Sequence, residues 1–292
     1  MVGKGKKKAF NSLKDQVGRR IARWKGKLLS NVGREILIKA VAQVTPTYTM
    51  SCFKLPDSLC QELNTMVSSF WWGQQGSERK MAWVSWERMC TRKMDGGMGF
   101  KDLKAFNLAL LAKQGWRLLQ TPSSLIHKVY KARYFKNSSF MEAKLGRNPS
   151  YAWRSILAAR DVLQKGMRWI IGNGKKVKIW DYKWLPTPIS FKVCSPRRQG
   201  VDLEVVANLL DGEKGMWNID KVKSIFLPHE ANMVLGIPIS PCLPDDSLIW
   251  AWTNNGRFKV RSAYGVALQV LKEGQQNRDK GNSLNISRMS NF

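Results

Sequence analysis

Residues 102–122, DLKAFNLALLAKQGWRLLQTP, decide the fold of the middle of the chain. Asp102 is of a residue type that caps helix N-termini, and Pro122 disfavours helical geometry in the residue before it. Between them, apolar side chains recur at the spacing of one helical face: Leu103, Phe106, Leu110, Leu111 and Leu118. The stretch predicts a helix that ends just before Pro122, and the same spacing predicts helices over residues 125–134 and 150–165.

Three more helices are predicted on the N-terminal side. An amphipathic helix begins at Phe10, and basic residues occupy the positions between its apolar ones. A second helix follows a cap at Ser30 or Asn31 and must stop before Pro46, and a third opens at Pro56. The N-terminal region is therefore expected to be a small helical bundle with a basic outer face.

After Gly166 the apolar period changes from helical to alternating. Alternating apolar residues flank Gly172-Asn173-Gly174 and Asn254-Asn255-Gly256, and both sequences are typical of hairpin turns. We therefore predict one hairpin over residues 169–179 and another over residues 248–260. The predicted fold class is mainly α with small β-hairpins (α+β).

The charge balance is the strongest compositional signal. The 292 residues include 49 Lys and Arg against 21 Asp and Glu, which gives a formal net charge of +28. Such an excess favours a polyanionic partner. Twelve basic residues and only two acidic ones fall within residues 1–40. We expect this segment to contact nucleic acid, and a merely solubilising surface is the alternative.

Other ligand classes have little support in the sequence. No run of about 18 apolar residues and no signal-peptide pattern occurs, so neither a membrane partner nor secretion is expected. The five cysteines and two histidines lack metal-ligand spacing, so no metal and no cofactor are expected. The Gly-rich residues 95–99 lack the ending of a phosphate-binding loop and predict a turn, so no small-molecule ligand is expected.

Seven stretches, in order along the chain, match one protein family. They are WKGKLLSNVGREILIKAVAQVTPTYTMSCFKLP (24–56), FWWG (70–73), GGMGFKDLKAFNLALLAKQGWRLL (96–119), KARYF (131–135), PSYAWRSILAARDVL (149–163), GNGKKVKIWDYKWLP (172–186) and GRFKVRSAY (256–264). Together they resemble the LINE-type non-LTR retrotransposon reverse transcriptases of plant genomes.

In that family this region follows the polymerase palm. The resemblance implies that residues 1–75 form a basic, thumb-like helical region and that residues 76–166 form a helical connector. Residues 167–271 are then a hairpin-containing connector that leads toward a zinc-binding domain missing from this chain. Residues 272–292 are expected to be a disordered tail. The palm of the parent polyprotein is an expected partner.

A thumb grips the backbone of the template–product duplex, which agrees with the basic outer face of the first helix. We therefore expect contacts with RNA or DNA phosphates that position the nucleic acid without reading its sequence. Nine residues are predicted to make them from their charge and position: Lys4, Lys6, Lys7, Lys8, Arg19, Arg20, Arg23, Lys25 and Lys27.

Polymerases of this family hold two divalent ions with carboxylates that include an aromatic-x-Asp-Asp box. The Asp-Asp pair of this chain, Asp245-Asp246, follows Leu243-Pro244 instead and is typical of a turn. No acidic constellation suggests a ribonuclease H site. We therefore expect no catalytic residues and no enzyme activity, so that the chain is a non-catalytic fragment of a reverse transcriptase.

Two other interpretations stay open. The 13 tryptophans exceed what a small core needs, which also fits a protein-interaction or scaffold fragment whose aromatic residues packed against the palm. The third interpretation is a retroelement relic with no selected role. The family's life cycle implies a nuclear location, and a basic cluster between Lys4 and Lys8 agrees with it. The expected location is nuclear or cytoplasmic.

Overall fold

In a computed structural model, the chain divides into two compact units, residues 1–165 with 259–292 and residues 166–258. The structure describes residues 6–25, 27–73, 81–187, 190–197, 203–211 and 215–289, and within these ranges it leaves the side chains of 6–9, 278 and 280–289 undescribed. Helices dominate, and the few strands form short antiparallel pairs. The predicted fold class, mainly α with small β-hairpins, is confirmed.

The helices of the described residues are, in chain order, α1 (Lys6–Lys25), α2 (Asn31–Leu37), α3 (Thr47–Cys52), α4 (Asp57–Trp71), α5 (Trp86–Met89), α6 (Leu103–Gln120), α7 (Leu125–Tyr134), α8 (Tyr151–Leu157), α9 (Arg160–Gly166), α10 (Ile219–Ile225), α11 (Pro228–Leu235) and α12 (Val260–Met289). A π-helical turn over Ile38–Ala42 extends α2, and 3-10 turns occupy Lys93–Asp95 and Val206–Leu209. The strands are β1 (Met167–Ile170), β2 (Leu210–Asp211), β3 (Met216–Trp217) and β4 (Ser247–Trp250).

Helix α6 is the centre of the first unit. The Asp102 carboxylate accepts a hydrogen bond from the Ala105 N–H at 2.7 Å, which is the predicted N-cap. Twelve of the 18 residues of α6 are buried, so the helix is covered on more sides than an amphipathic stripe requires. Helices α3, α4, α8 and α12 contact it.

A buried amide on α6 fixes the segment that follows α3. The Asn107 side chain is 2% exposed, and its Nδ2 donates to the carbonyl oxygens of Met50 at 2.7 Å and Phe53 at 2.9 Å. Its Oδ1 accepts from the Leu55 N–H at 2.8 Å. Three backbone groups that α3 and the next turn leave unpaired are thereby satisfied.

Two helix boundaries differ from the sequence prediction. Pro46 ends the second predicted helix but immediately precedes α3, a short helix that the periodicity did not reveal. The helix predicted over residues 150–165 is broken into α8 and α9. At the break the Ala159 N–H donates to the Ile156 carbonyl at 3.1 Å, which is the tighter i to i−3 pattern.

The second unit forms different strand pairs from the two predicted hairpins. Strand β1 pairs antiparallel with β4, with Met167 opposite Trp250, and β2 pairs with β3. The stretch after Gly174 contributes Val177 and Ile179 to the core instead of folding back on β1. The turn at Asn254-Asn255-Gly256 does form, because the Trp250 N–H donates to the Gly256 carbonyl at 2.8 Å.

A carboxylate clamp explains why the Gly172-Asn173-Gly174 turn closes no hairpin. Asp246 Oδ1 accepts from the N–H groups of Gly172 and Gly174, each at 2.8 Å, and Oδ2 accepts from the Lys176 N–H at 2.8 Å. Gly172 also passes so close to the Pro244 carbonyl that a Cβ would clash with it. The turn is therefore bound to the segment that precedes β4.

Helix α12 ends at Met289. The structure describes residues 272–289 as a continuation of α12, where the sequence predicts a disordered tail. Residues 290–292 lie outside the described part of the chain.

Replacing Asn107 tests the buried amide. Asn107→Ala leaves one N–H and two carbonyls buried without partners, so we expect the free energy of unfolding of the first unit to fall by about 3 kcal/mol. Urea denaturation followed by far-UV circular dichroism measures the change. The control is Asn11→Ala, an exposed helical asparagine on α1, which should shift stability by less than about 0.5 kcal/mol. Equal effects of the two substitutions would contradict the assigned role.

The Asp-Asp pair allows a matched comparison in the second unit. Asp246→Ala removes the acceptor of three N–H groups and should lower the unfolding free energy by about 3 kcal/mol. Asp245→Ala removes an exposed ion pair with Lys176 (2.5 Å) and an exposed hydrogen bond from Asn173 (3.0 Å), and it should leave the urea midpoint nearly unchanged. If Asp245→Ala lowered the unfolding free energy more than Asp246→Ala, the hydrogen bonds of Asp246 would not be what stabilises this turn.

Candidate nucleic-acid interface

Helix α1 is fixed by its apolar face. Phe10, Leu13, Val17 and Ile21 are all at most 6% exposed and pack in the same core cluster as the apolar residues of α4. At Gly18 a Cβ would lie 2.9 Å from the Met66 methyl, so the absence of a side chain lets the two helices approach closely.

Two side-chain contacts hold the ends of the α1–α4 pair. The Trp24 and Phe70 rings lie 5.6 Å apart. Nearer the other end of α1, Lys14 Nζ lies 2.7 Å from Glu62 Oε2. The hydrogen bond and the charge of Glu62 raise the pKa of Lys14 above its usual value. Because its inner face is fixed in this way, α1 presents a defined outer face.

The predicted phosphate-binding residues lie on that outer face as far as the structure describes them. Arg19, Arg20, Arg23, Lys25 and Lys27 are all exposed. Arg19 Nε donates to the Asp15 carbonyl at 3.4 Å, and Asp15 is the one acidic residue within the sequence of α1. Lys6, Lys7 and Lys8 lie in the first turns of α1, but their side chains are outside the described set, and Lys4 is outside it entirely.

The first unit contains a cavity of about 590 Å³ that the sequence did not predict. Its walls come from three separate segments: Asn31 and Arg34 of α2, the C-terminal end of α4, and residues 81–98. The local signal in the sequence was FWWG (70–73), which supplies Trp71 and Trp72 to the lining. Nothing in the sequence indicated that residues 81–98 face it.

The Asp-Asp pair belongs to the clamp described above. The two Asp246 oxygens accept three backbone N–H groups, which occupy lone pairs that a metal ion would need. Hydrogen bonds from Lys176 and then Asn173 lower the pKa of the Asp245 carboxyl. Within the described ranges, no three His, Cys, Asp or Glu side chains are grouped so that they could hold a metal ion.

None of the helices in the described part of the chain combines the length and the apolarity needed to cross a bilayer.

Two relatives from Arabidopsis thaliana are similar to this chain, and no protein-family model matches it. The "Uncharacterized mitochondrial protein AtMg00310" is 45% identical over 141 residues, which are 48% of this chain and 92% of that protein. The "Putative ribonuclease H protein At1g65750" is 31% identical over 266 residues, which are 88% of this chain. The chain spans only 42% of the length of this second relative.

The second relative contradicts the expectation that the chain is not an enzyme. Most of the chain, 88%, aligns with a protein that is named as a ribonuclease H. The expectation rested on the missing polymerase carboxylates and on the lack of an acidic constellation typical of a ribonuclease H site, and the alignment over most of the chain overturns it.

The first relative decides the family. Its identity of 45% extends over 92% of its length, so almost the whole of that protein has a counterpart here. The chain therefore belongs to the same family as the uncharacterized mitochondrial protein AtMg00310 of Arabidopsis thaliana.

Proposed function

We propose that the chain is a region of a retroelement polyprotein of the LINE type, and that α1 binds the sugar–phosphate backbone of RNA or DNA. The match to a protein named as a ribonuclease H supports a nucleic-acid enzyme as the whole of which this region is part. The ordered sequence resemblance supports the LINE type. In this proposal the region binds the nucleic-acid substrate of the larger enzyme.

The observation that carries the proposal is the two-sided character of α1. Four buried apolar residues fix one side of the helix, and the exposed side and the turn after it carry Arg19, Arg20, Arg23, Lys25 and Lys27. Four cations on α1 and a fifth just after it can contact a run of phosphates and release the counterions bound to them. Such contacts position a nucleic acid but do not distinguish bases.

The salt dependence of nucleic-acid binding tests the phosphate contacts proposed for α1. With about six phosphate contacts, the logarithm of the affinity for a duplex should fall with the logarithm of salt concentration at a slope of about −5. Replacing Arg19, Arg20, Arg23, Lys25 and Lys27 by Gln should reduce the steepness by about 0.9 for each lost contact. Fluorescence anisotropy of a labelled duplex between about 50 and 200 mM salt measures both slopes.

A second variant with the same loss of charge separates placement from net charge. Lys113, Arg117, Lys128, Lys131 and Arg133 are exposed on α6 and α7, and their replacement by Gln also removes five charges. We expect this variant to keep most of the wild-type slope. If the salt-dependence slope falls equally in the two variants, only the net positive charge of the chain matters, and α1 is not the binding element.

A further inference from the structure

The cavity in the first unit is built mainly from aromatic and thioether side chains. Trp71, Trp72 and Trp83 line it together with Met81, Met89 and Met98. Its volume of about 590 Å³ lies in the range of sites that bind small molecules or single residues of a polymer. An apolar lining of this kind favours a flat, weakly hydrated group over a highly charged one.

Two polar groups of the lining are an arginine side chain and a buried indole N–H. Arg34 is the one charged residue among the described residues of the lining, and its Nη1 donates to the Trp71 carbonyl at 3.2 Å. That bond fixes the guanidinium and leaves further N–H donors for a ligand. The Trp72 Nε1 is buried and has no hydrogen-bond partner among the described residues. Because this atom is inaccessible, it does not present a donor to the cavity.

The mouth of the cavity exposes an unusual amount of apolar surface. Trp83 is 79% exposed and Met81 is 70% exposed. In a chain with a net charge of +28, adjacent exposed side chains of this size mark a contact site. Trp83 is free to offer the face of its ring to a planar partner.

We propose that this cavity binds an unpaired nucleobase of single-stranded RNA or DNA. A base has a π-face on which the exposed indole of Trp83 can stack. Its phosphate carries the negative charge that Arg34 pairs with. An apolar peptide segment would fill the same cavity but would leave the Arg34 charge without a counterpart, so charge complementarity favours the nucleotide.

The inference rests on the proposed function and deepens it. In this proposal helix α1 binds phosphates and does not distinguish bases. The cavity, in contrast, binds a base only when that base is not stacked in a duplex. The two elements together predict that the chain prefers nucleic acid with a single-stranded stretch. Their contributions are separable, because removing the bases from an oligonucleotide leaves its phosphates unchanged.

The experiment uses the full chain and two labelled oligonucleotides of 12 nucleotides, one of thymidines and one wholly abasic. Wild type should bind the thymidine oligonucleotide between about five-fold and 100-fold more tightly than the abasic one. Trp83→Ala should remove most of this difference and leave the abasic affinity within about two-fold. Because Trp83 is exposed, its replacement should not affect folding. The control is Trp252→Ala, an exposed tryptophan of the second unit, which should change neither affinity.

Each alternative result has a distinct meaning. If wild type binds the two oligonucleotides equally and with a steep salt dependence, the base site is wrong and the phosphate contacts of α1 are supported. Binding of the thymidine oligonucleotide alone would support the base site and overturn the grip. If Trp83→Ala alters self-association in light scattering but neither affinity, the cavity is a protein-binding surface, and the inference is wrong. Failure to bind either oligonucleotide at low salt overturns both.

Discussion

The first unit depends on one buried carboxamide. Asn107 satisfies three backbone groups around residues 50–55, and α4 begins at Asp57, directly after this segment. Asparagine is a poor helix former, so its presence within the buried α6 is a local cost that the three hydrogen bonds outweigh. The amide thereby sets where α4 begins, and α4 in turn supports α1. The orientation of the basic face therefore depends on a residue that carries no charge.

Helices were predictable where their signals are local. The Asp102 cap, the Ser30 cap and the apolar face of α1 each need only a few neighbouring residues, and the structure shows all three. The partners of the strands were not predictable, because Met167 pairs with Trp250, far along the chain, and the Asp246 clamp acts over a similar separation. A turn sequence such as Gly172-Asn173-Gly174 indicates that the chain reverses direction there. It does not indicate which segment the chain then pairs with.

The same distinction applies to the site. The exposed cations of α1 follow from the helical period alone, since positions between buried residues must face outward. The cavity has walls from α2, α4 and residues 81–98, so no single window of sequence contains its pattern. Trp72 and Trp83 are informative only once the fold places them together. The sequence could therefore suggest the phosphate contacts proposed for α1 but not the proposed base site.

The carboxylates of Glu35 and Glu62 in the first unit are paired with lysine side chains. Glu35 Oε1 lies 2.7 Å from the ammonium groups of both Lys39 and Lys93, and these hydrogen bonds, that of Lys39 first, lower the pKa of the Glu35 carboxyl. Glu62 is likewise paired with Lys14. Surface pairs of this kind contribute little to stability. The nucleic-acid contacts proposed for α1 do not depend on these pairs, because the opposite charges of each pair cancel. A grip of this kind binds substrate and transition state alike, so in a larger enzyme it would lower KM and leave kcat to residues elsewhere.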